Sequence, residues 1–265
     1  MNVLDFGYGA LEQQLWQLLF LSIRCGAALL AAPMVGGMSV PPQLRALLAL
    51  VIAFFVATWV PPVALPEMTS FAAILAIGQE VVIGVALGFM LQLAFAVPLI
   101  AAEQIAGTMG LAIATSIDPA SGAQSGALGT YFGLILTLLF YAIGGHLLWF
   151  GLLIESYRLL PAGSFGLGEM QARDIVTFAG YGFASAAAIA LPVVLVLLMV
   201  QLITGTISRS APALNLFALG LPAGVLAGIA ALIVVLPILI DQFTSLLTMT
   251  FEQLTVLIEG TRAAP

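Results

Sequence analysis

Three long runs without a single Asp, Glu, Lys or Arg decide what this chain can fold into. They are Ala127–Ile154, Ile175–Thr206 and Leu214–Ile240. A helix needs about 20 apolar residues to cross a bilayer, and each run exceeds that length. The composition agrees, since 62% of the 265 residues are apolar and 7% are charged, whereas ordinary globular chains carry about 25% charged residues. The sequence therefore predicts an integral membrane protein.

The other apolar runs extend this prediction to the whole chain. Leu15–Val35 and Phe71–Ile100 are long enough to span, Leu47–Val60 is marginal and Ile105–Ile117 is too short. After Asp241, apolar residues at helical spacing predict an amphipathic terminal helix over 243–258. Residues 1–14 carry two acidic residues, Asp5 and Glu12, and no basic residue, whereas a cleaved signal peptide begins with positive charge. We therefore expect the first run to belong to the mature protein. We predict an all-α membrane protein with one domain over residues 1–265.

The composition argues against nucleic-acid binding, metal binding and enzymatic catalysis. The six basic residues are all arginines spread along the chain, so we expect no nucleic-acid partner. The one cysteine, Cys25, and the one histidine, His146, lie far apart in sequence and predict packing roles, not a metal site. No Gly-x-Ser-x-Gly motif for a nucleophile is present. We expect neither an enzyme nor a cofactor.

Charged residues inside apolar runs require a partner, because a charge at the centre of a membrane helix costs about 2.5–3.5 kcal/mol. Arg24, Glu80 and Glu103 are in this position. One hypothesis is that the two carboxylates form an ion or proton relay. The preferred hypothesis is structural, with Arg24 paired to Glu80 or to Glu103 inside a bundle or between subunits.

The segment 107–126 is the least regular part of the chain. It is apolar at first, too short to span, broken by Gly107 and Gly110, and it ends in a turn at Asp118-Pro119. Irregular backbone at membrane depth is tolerated where protein or a watery cavity surrounds it, so a re-entrant or pore-lining loop is expected. Glycines four residues apart, at Gly84/Gly88 and along 220–228, predict close helix packing, within the chain or between subunits.

The segment Met109–Ser121 resembles the central loop of the FliR family of flagellar export-gate proteins. Further motifs of this family follow in order: Arg24 with Pro33, Pro42 with Arg45, Gly145-His146-Leu147, and Leu160-Pro161-x-Gly163. The most specific motif combines Arg209, Ala211, Pro212, Leu214, Phe217, Gly220 and Pro222. The injectisome counterpart is a close relative, and Met109-Gly110-Leu111 favours the flagellar branch.

The resemblance implies a fold and a set of partners. It implies tilted, stacked helical hairpins with interrupted helices, in the bacterial inner membrane at the flagellar basal body. FliP-like and FliQ-like subunits would join the chain in a channel for exported unfolded polypeptides, surrounded by an FlhB-like subunit and membrane lipid. Arg24, Glu80, Glu103 and Arg209 would serve as buried charges in assembly.

The resemblance also implies a plug, a loop that projects into the export channel and maps onto Gly110–Gln124. The proposed plug and gate residues are consecutive: Met109, Gly110, Leu111, Ala112, Ile113, Ala114, Thr115, Ser116, Ile117, Asp118 and Pro119. A dry constriction of aliphatic side chains would exclude water and ions from the idle channel. The alternative function is a small-solute or ion-coupled secondary transporter, which Glu80 and Glu103 would favour.

Overall fold

The chain forms α-helices wherever its apolar runs are long. A computed structural model describes residues 8–37, 40–60, 66, 70–111, 126–163, 168–210 and 216–260. These residues form seven α-helices and contain no strand. In chain order the helices are α1 (Tyr8–Ala31), α2 (Pro42–Trp59), α3 (Phe71–Met109), α4 (Ala127–Ala142), α5 (Gly145–Leu159), α6 (Glu169–Ser210) and α7 (Leu216–Glu259). The predicted all-α class is confirmed.

Five helices in the described part of the chain, α1, α2, α3, α6 and α7, are long and apolar enough to cross a membrane. Helices α4 and α5 form a bent pair that would count as a sixth span if taken as one. The break lies at Gly144, whose φ of +70° is readily adopted only by glycine. The Gly144 amide donates to the Tyr141 carbonyl at 3.1 Å, which closes the turn. The prediction of an interrupted helix is therefore confirmed.

An interior proline removes a backbone donor and clashes one turn back, so the sequence also predicts a break near Pro98 or Pro192. That prediction is wrong. Both prolines lie inside continuous helices, Pro98 in α3 and Pro192 in α6. A proline removes one backbone donor, and membrane helices tolerate it where neighbouring groups satisfy the freed carbonyl. Helix α3 also continues past Glu103 to Met109, so the first residues of the short run 105–117 belong to α3, and its residues 112–117 lie outside the described part of the chain.

The terminal segment 243–258 is amphipathic as predicted, but it is not a separate helix. It is the last part of α7, which continues through Asp241 without a break. Asp241 is exposed, so its carboxylate does not interrupt the packing of the helix. Along the terminal segment Leu247 and Leu254 are buried, whereas Glu252 is exposed.

The chain divides into two compact units. The first combines Met1–Leu93, His146–Ala179 and Thr250–Pro265, and the second combines Ala94–Gly145 and Gly180–Met249. The interpretation of residues 1–265 as one export-gate domain stays a prediction.

In the first unit, α1 packs closely against α3 at two glycines. A Cβ atom built on Gly84 would lie 2.8 Å from the Cβ atom of Ala27 and would collide with the Arg24 carbonyl oxygen. At Gly88 the added atom would lie 2.7 Å from the Cβ atom of Ala31. Small residues let helix backbones approach each other in the absence of a hydrophobic driving force. This glycine pair therefore serves packing within the chain.

The second unit has an aromatic core. Phe132 of α4 and Phe243 of α7 are fully buried, and their rings meet edge to face at 5.6 Å between centroids. Phe95 of α3 and Phe140 of α4 meet in the same manner at 5.5 Å. Edge-to-face contacts are a favoured aromatic geometry, and here they connect three helices.

Candidate functional site

The most deeply buried charge of the described chain, Arg24 on α1, forms an ion pair with Glu80 on α3. The pair is bidentate: Nε donates to Oε2 at 2.8 Å and Nη2 donates to Oε1 at 2.9 Å. The side chains are 0% and 1% exposed. Bidentate guanidinium–carboxylate pairs are among the stronger hydrogen-bonded arrangements in proteins. Of the two acids that the sequence offered to Arg24, the structure brings Glu80 to it.

The remaining donors of Arg24 bind the C-terminal turn of α5. Nη1 donates to the carbonyl oxygen of Ser156 at 2.9 Å and to its Oγ at 3.1 Å, and Nη2 donates to the Leu160 carbonyl oxygen at 2.9 Å. A guanidinium has five N–H donors, so all five are used. The positive charge also lies at a helix C-terminus, where the helix dipole favours it.

Glu80 and Tyr157 complete this buried cluster. Glu80 Oε1 accepts a second hydrogen bond, from the Gly163 amide at 3.1 Å. The guanidinium carbon of Arg24 lies 4.1 Å from the centre of the Tyr157 ring, a cation–π distance. Because Glu80 is neutralised by an arginine whose donors are all engaged, the cluster fixes three helices to each other and offers no relay for protons.

Glu103 and Arg209 are both exposed in the chain, and their predicted role as buried charges of an assembly stays a prediction. Glu103 is exposed although its neighbours Ala101, Ala102 and Ile105 on α3 are fully buried. Arg209 is in the last turn of α6, where a positive charge is favoured by the helix dipole without burial. Neither residue takes part in the Arg24 cluster.

The C-terminal end of α3, where the predicted plug segment begins, has a complete helix cap. The Leu111 amide donates to the Ala106 carbonyl at 3.0 Å, and the Gly110 amide donates to the Gly107 carbonyl at 3.1 Å. Gly110 has a φ of +83°. These two bonds around a left-handed glycine are a Schellman motif. The sequence interpretation of Gly110 as a conformational break is consistent with this geometry.

Two further helices bind the same end of α3. Gln201 of α6 donates from Nε2 to the Thr108 carbonyl at 2.8 Å. The Met109 side chain is buried against α7, where a Cβ atom on Gly228 would lie 2.7 Å from its sulfur atom. A Cβ atom built on Gly224 would lie 3.2 Å from the Met109 carbonyl oxygen. The glycine spacing on α7 was visible in the sequence, but nothing in the sequence indicated its partner or the role of Gln201.

The structure describes only the first three of the predicted gate residues. Met109, Gly110 and Leu111 lie in the described chain at the end of α3. The remaining gate residues, Ala112, Ile113, Ala114, Thr115, Ser116, Ile117, Asp118 and Pro119, lie outside the described residues. The description resumes at Gly126, whose amide donates to Glu103 Oε1 at 3.3 Å.

The five long apolar helices of the described chain, two of which are joined by the buried Arg24–Glu80 ion pair, define an all-α integral membrane protein. The chain belongs to the family of bacterial export proteins, family 1, which it matches over residues 15–250. It is therefore a membrane protein of bacterial protein export, and it lies in the inner (plasma) membrane.

Individual relatives agree with the family. The flagellar biosynthetic protein FliR of Escherichia coli (strain K12) is 33% identical over 217 residues, 82% of this chain and 83% of that protein. FliR of Pectobacterium carotovorum is 31% identical over the same shares of the two chains. The surface presentation of antigens protein SpaR of Shigella flexneri is 30% identical over 143 residues, 54% of this chain and 55% of that protein. The resemblance to the FliR family drawn from the sequence motifs is confirmed.

Proposed function

We propose that this chain is the FliR-type subunit of the flagellar type III protein export gate. In this proposal it forms, with FliP-like and FliQ-like subunits, the channel through which unfolded polypeptides are exported, and an FlhB-like subunit surrounds that channel. The observation that carries the proposal is the family match over residues 15–250. The flagellar assignment is supported by FliR proteins that align over 82% of the chain, against 54% for SpaR.

The proposed mechanism needs no catalysis. A channel for an unfolded polypeptide must be closed to ions when idle, and apolar side chains can close it by excluding water. We assign this closure to the segment 110–124, with Met109 at its base. Ile113 and Ile117 would supply the apolar surface inside the channel. The complete cap at the end of α3 supports this assignment, because it gives the segment a fixed starting point.

The transporter hypothesis is not favoured by the geometry. It requires a membrane carboxylate that exchanges ions or protons with water. Glu80 is 1% exposed and bound by Arg24 and by the Gly163 amide. Glu103 takes no part in that cluster and instead accepts from the Gly126 amide, so the two carboxylates do not form the relay that this hypothesis proposed.

The assembly part of the proposal is tested by co-expression with FliP-like and FliQ-like subunits and by native mass measurement after gentle detergent extraction. We expect one complex that contains all three chains. A chain that purifies as a folded monomer in the presence of both candidate partners would contradict the proposal.

The closure part is tested by ion conductance in cells that contain the complete gate. The double change Ile113→Gly and Ile117→Gly should make the membrane leaky while the complex still assembles. The conservative pair Ile113→Val and Ile117→Val keeps an apolar surface and should retain the seal. A glycine variant that assembles and remains as tight as the valine variant would remove the plug assignment.

A further inference from the structure

An apolar groove lies between α1 and α3 in the first unit. Its volume is about 550 Å³ and its outer face is open. Residues of α1, among them Ser22 and Gly26, line it together with Val81 and Val85 of α3. The Ser22 hydroxyl donates to a carbonyl of its own helix at 2.7 Å, so it does not need a polar occupant. Since α1 and α3 are both long and apolar enough to cross a membrane, the groove lies at the depth of the hydrocarbon.

Arg45 of α2 lies at one end of this groove. Its Nη2 atom donates to the carbonyl oxygens of Gly37 and, at 2.8 Å, of Val40, both in the connection between α1 and α2. Gly36 packs closely on the end of α1, where an added Cβ atom would collide with the Leu30 carbonyl oxygen. Leu30 itself lines the groove. The folded connection therefore holds the guanidinium close to the Leu30 end of the groove.

The guanidinium of Arg45 has no acidic partner among the residues that the structure describes. The ion pairs found there use Arg24 and Arg158. Both hydrogen bonds of Arg45 come from Nη2, so Nη1 has no acceptor in the described chain, and neither has the buried Nε. Arg45 also stands in the first turn of α2, where no acidic residue occurs and the helix dipole adds positive charge. This site therefore favours an anion from outside the chain.

The size and the depth of the groove favour a lipid over a protein helix. From Ser22 to Ala31 helix α1 rises by about 13.5 Å, and a helix of about 10–12 Å diameter and that length would occupy roughly 1,000–1,500 Å³. This is about two to three times the volume of the groove, whereas an acyl chain is far narrower than a helix. Because α1 and α2 are consecutive candidate spans, their connection lies at a membrane surface, where the phosphates of lipids also lie.

We propose that the groove and Arg45 form a binding site for a phospholipid whose headgroup has a net negative charge. One acyl chain fills the groove between α1 and α3, and the phosphate accepts hydrogen bonds from Nη1 of Arg45. Hydrogen bonds between arginine and phosphate are charge-assisted and stronger than neutral ones. A zwitterionic lipid binds less tightly, because its ammonium group brings a second positive charge close to the guanidinium. The inference requires that α1 and α3 span a membrane, and it holds whether or not the chain forms an export channel.

The test measures lipid affinity by native mass spectrometry. The chain is extracted in mild detergent with whatever subunits remain attached, and phosphatidylglycerol or phosphatidylethanolamine is then titrated into the delipidated protein. Arg45→Gln removes the charge, and its matched control is Arg158→Gln, at an arginine that already has an acidic partner. Val85→Trp fills the groove, and its matched control is Val82→Trp, at an exposed valine of the same helix that does not line the groove.

We expect the unchanged protein to bind phosphatidylglycerol more tightly than phosphatidylethanolamine. Arg45→Gln should lower the affinity for phosphatidylglycerol about tenfold, which corresponds to ~1.4 kcal/mol, and should remove the preference between the two lipids. Val85→Trp should weaken the binding of both lipids, because both use the same space for an acyl chain. The two control variants should bind as the unchanged protein does. Inorganic phosphate should not displace the lipid, since it has no acyl chain.

Three results would overturn the proposal. The first is equal affinity of the unchanged protein for the two lipids, a comparison that needs no variant and so does not depend on the folding of one. The second is displacement of phosphatidylglycerol by inorganic phosphate, which would leave an anion site without a role for the groove. The third is loss of an attached subunit in Arg45→Gln or Val85→Trp with lipid affinity unchanged, which would make the groove a protein interface.

Discussion

Removing one member of the Arg24–Glu80 pair should be among the most destabilising single changes in the chain. Arg24→Met keeps an apolar side chain of similar length but leaves the Glu80 carboxylate 1% exposed, with the Gly163 amide as its remaining donor. Breaking a buried ion pair costs about 3–5 kcal/mol, because the surviving charge is not compensated. Arg24→Met should therefore lower the free energy of unfolding by roughly that amount.

A second change distinguishes charge from packing. Arg24→Met combined with Glu80→Met leaves no buried charge and should recover most of the loss. Exchange of the charges, Arg24→Glu with Glu80→Arg, should not recover it. In that variant the carbonyl oxygens of Ser156 and Leu160, which now accept from Arg24, would face a carboxylate.

The assay is the fraction of detergent-extracted protein that stays monodisperse after heating, measured by size-exclusion chromatography. The matched control is Arg158→Met, which breaks the exposed pair of Arg158 with Glu155 at 3.5 Å. Exposed pairs contribute about 0–1 kcal/mol, so this control should behave almost as the wild type. If Arg24→Met is no less stable than Arg158→Met, or if the double methionine variant is no more stable than the single one, the reasoning is refuted.

Three other substitutions test the packing inside each unit by the same heating assay. Gly84→Ala should prevent stable folding because its Cβ atom collides with the backbone of α1, whereas Gly78→Ala in the same helix has open space and should be tolerated; equal behaviour of the two would contradict the close approach. Trp149→Phe removes the indole donor to the Leu87 carbonyl at 3.2 Å and should cost about 1 kcal/mol, and an unchanged midpoint would show that this bond contributes nothing. Phe243→Ala empties a fully buried ring site and should cost about 3–5 kcal/mol; a cost below that of Trp149→Phe would place the ring outside the core.

The helical architecture was predictable because apolar runs longer than about 20 residues have few alternatives to a membrane helix. Helix boundaries were less predictable, since polar residues mark a boundary only when no face of the helix can accept them. Glu103 and Asp241 are both exposed, so α3 and α7 continue through them. Gly144, by contrast, ends a helix through its own positive φ.

The sequence predicts that Arg24 needs a buried acidic partner, but it does not predict which acid or which main-chain oxygens bind it. A charge in an apolar run requires a counter-charge, which indicated Arg24 and two candidate acids. The choice of Glu80 depends on helix packing that sequence spacing does not specify. Three of the five donor contacts of Arg24 go to Ser156 and Leu160, two of them to main-chain oxygens. Every residue has such an oxygen, so no residue type could have signalled them.

The order of synthesis gives the Arg24 cluster a consequence for membrane insertion. Arg24 leaves the ribosome 56 residues before Glu80 and 132 residues before Ser156. An arginine near the centre of an inserting helix costs about 2.5–3.5 kcal/mol, and α1 bears this cost until α3 has been made. The first helix therefore enters the bilayer as an incomplete element, and its stable residence there depends on segments that the ribosome has yet to translate.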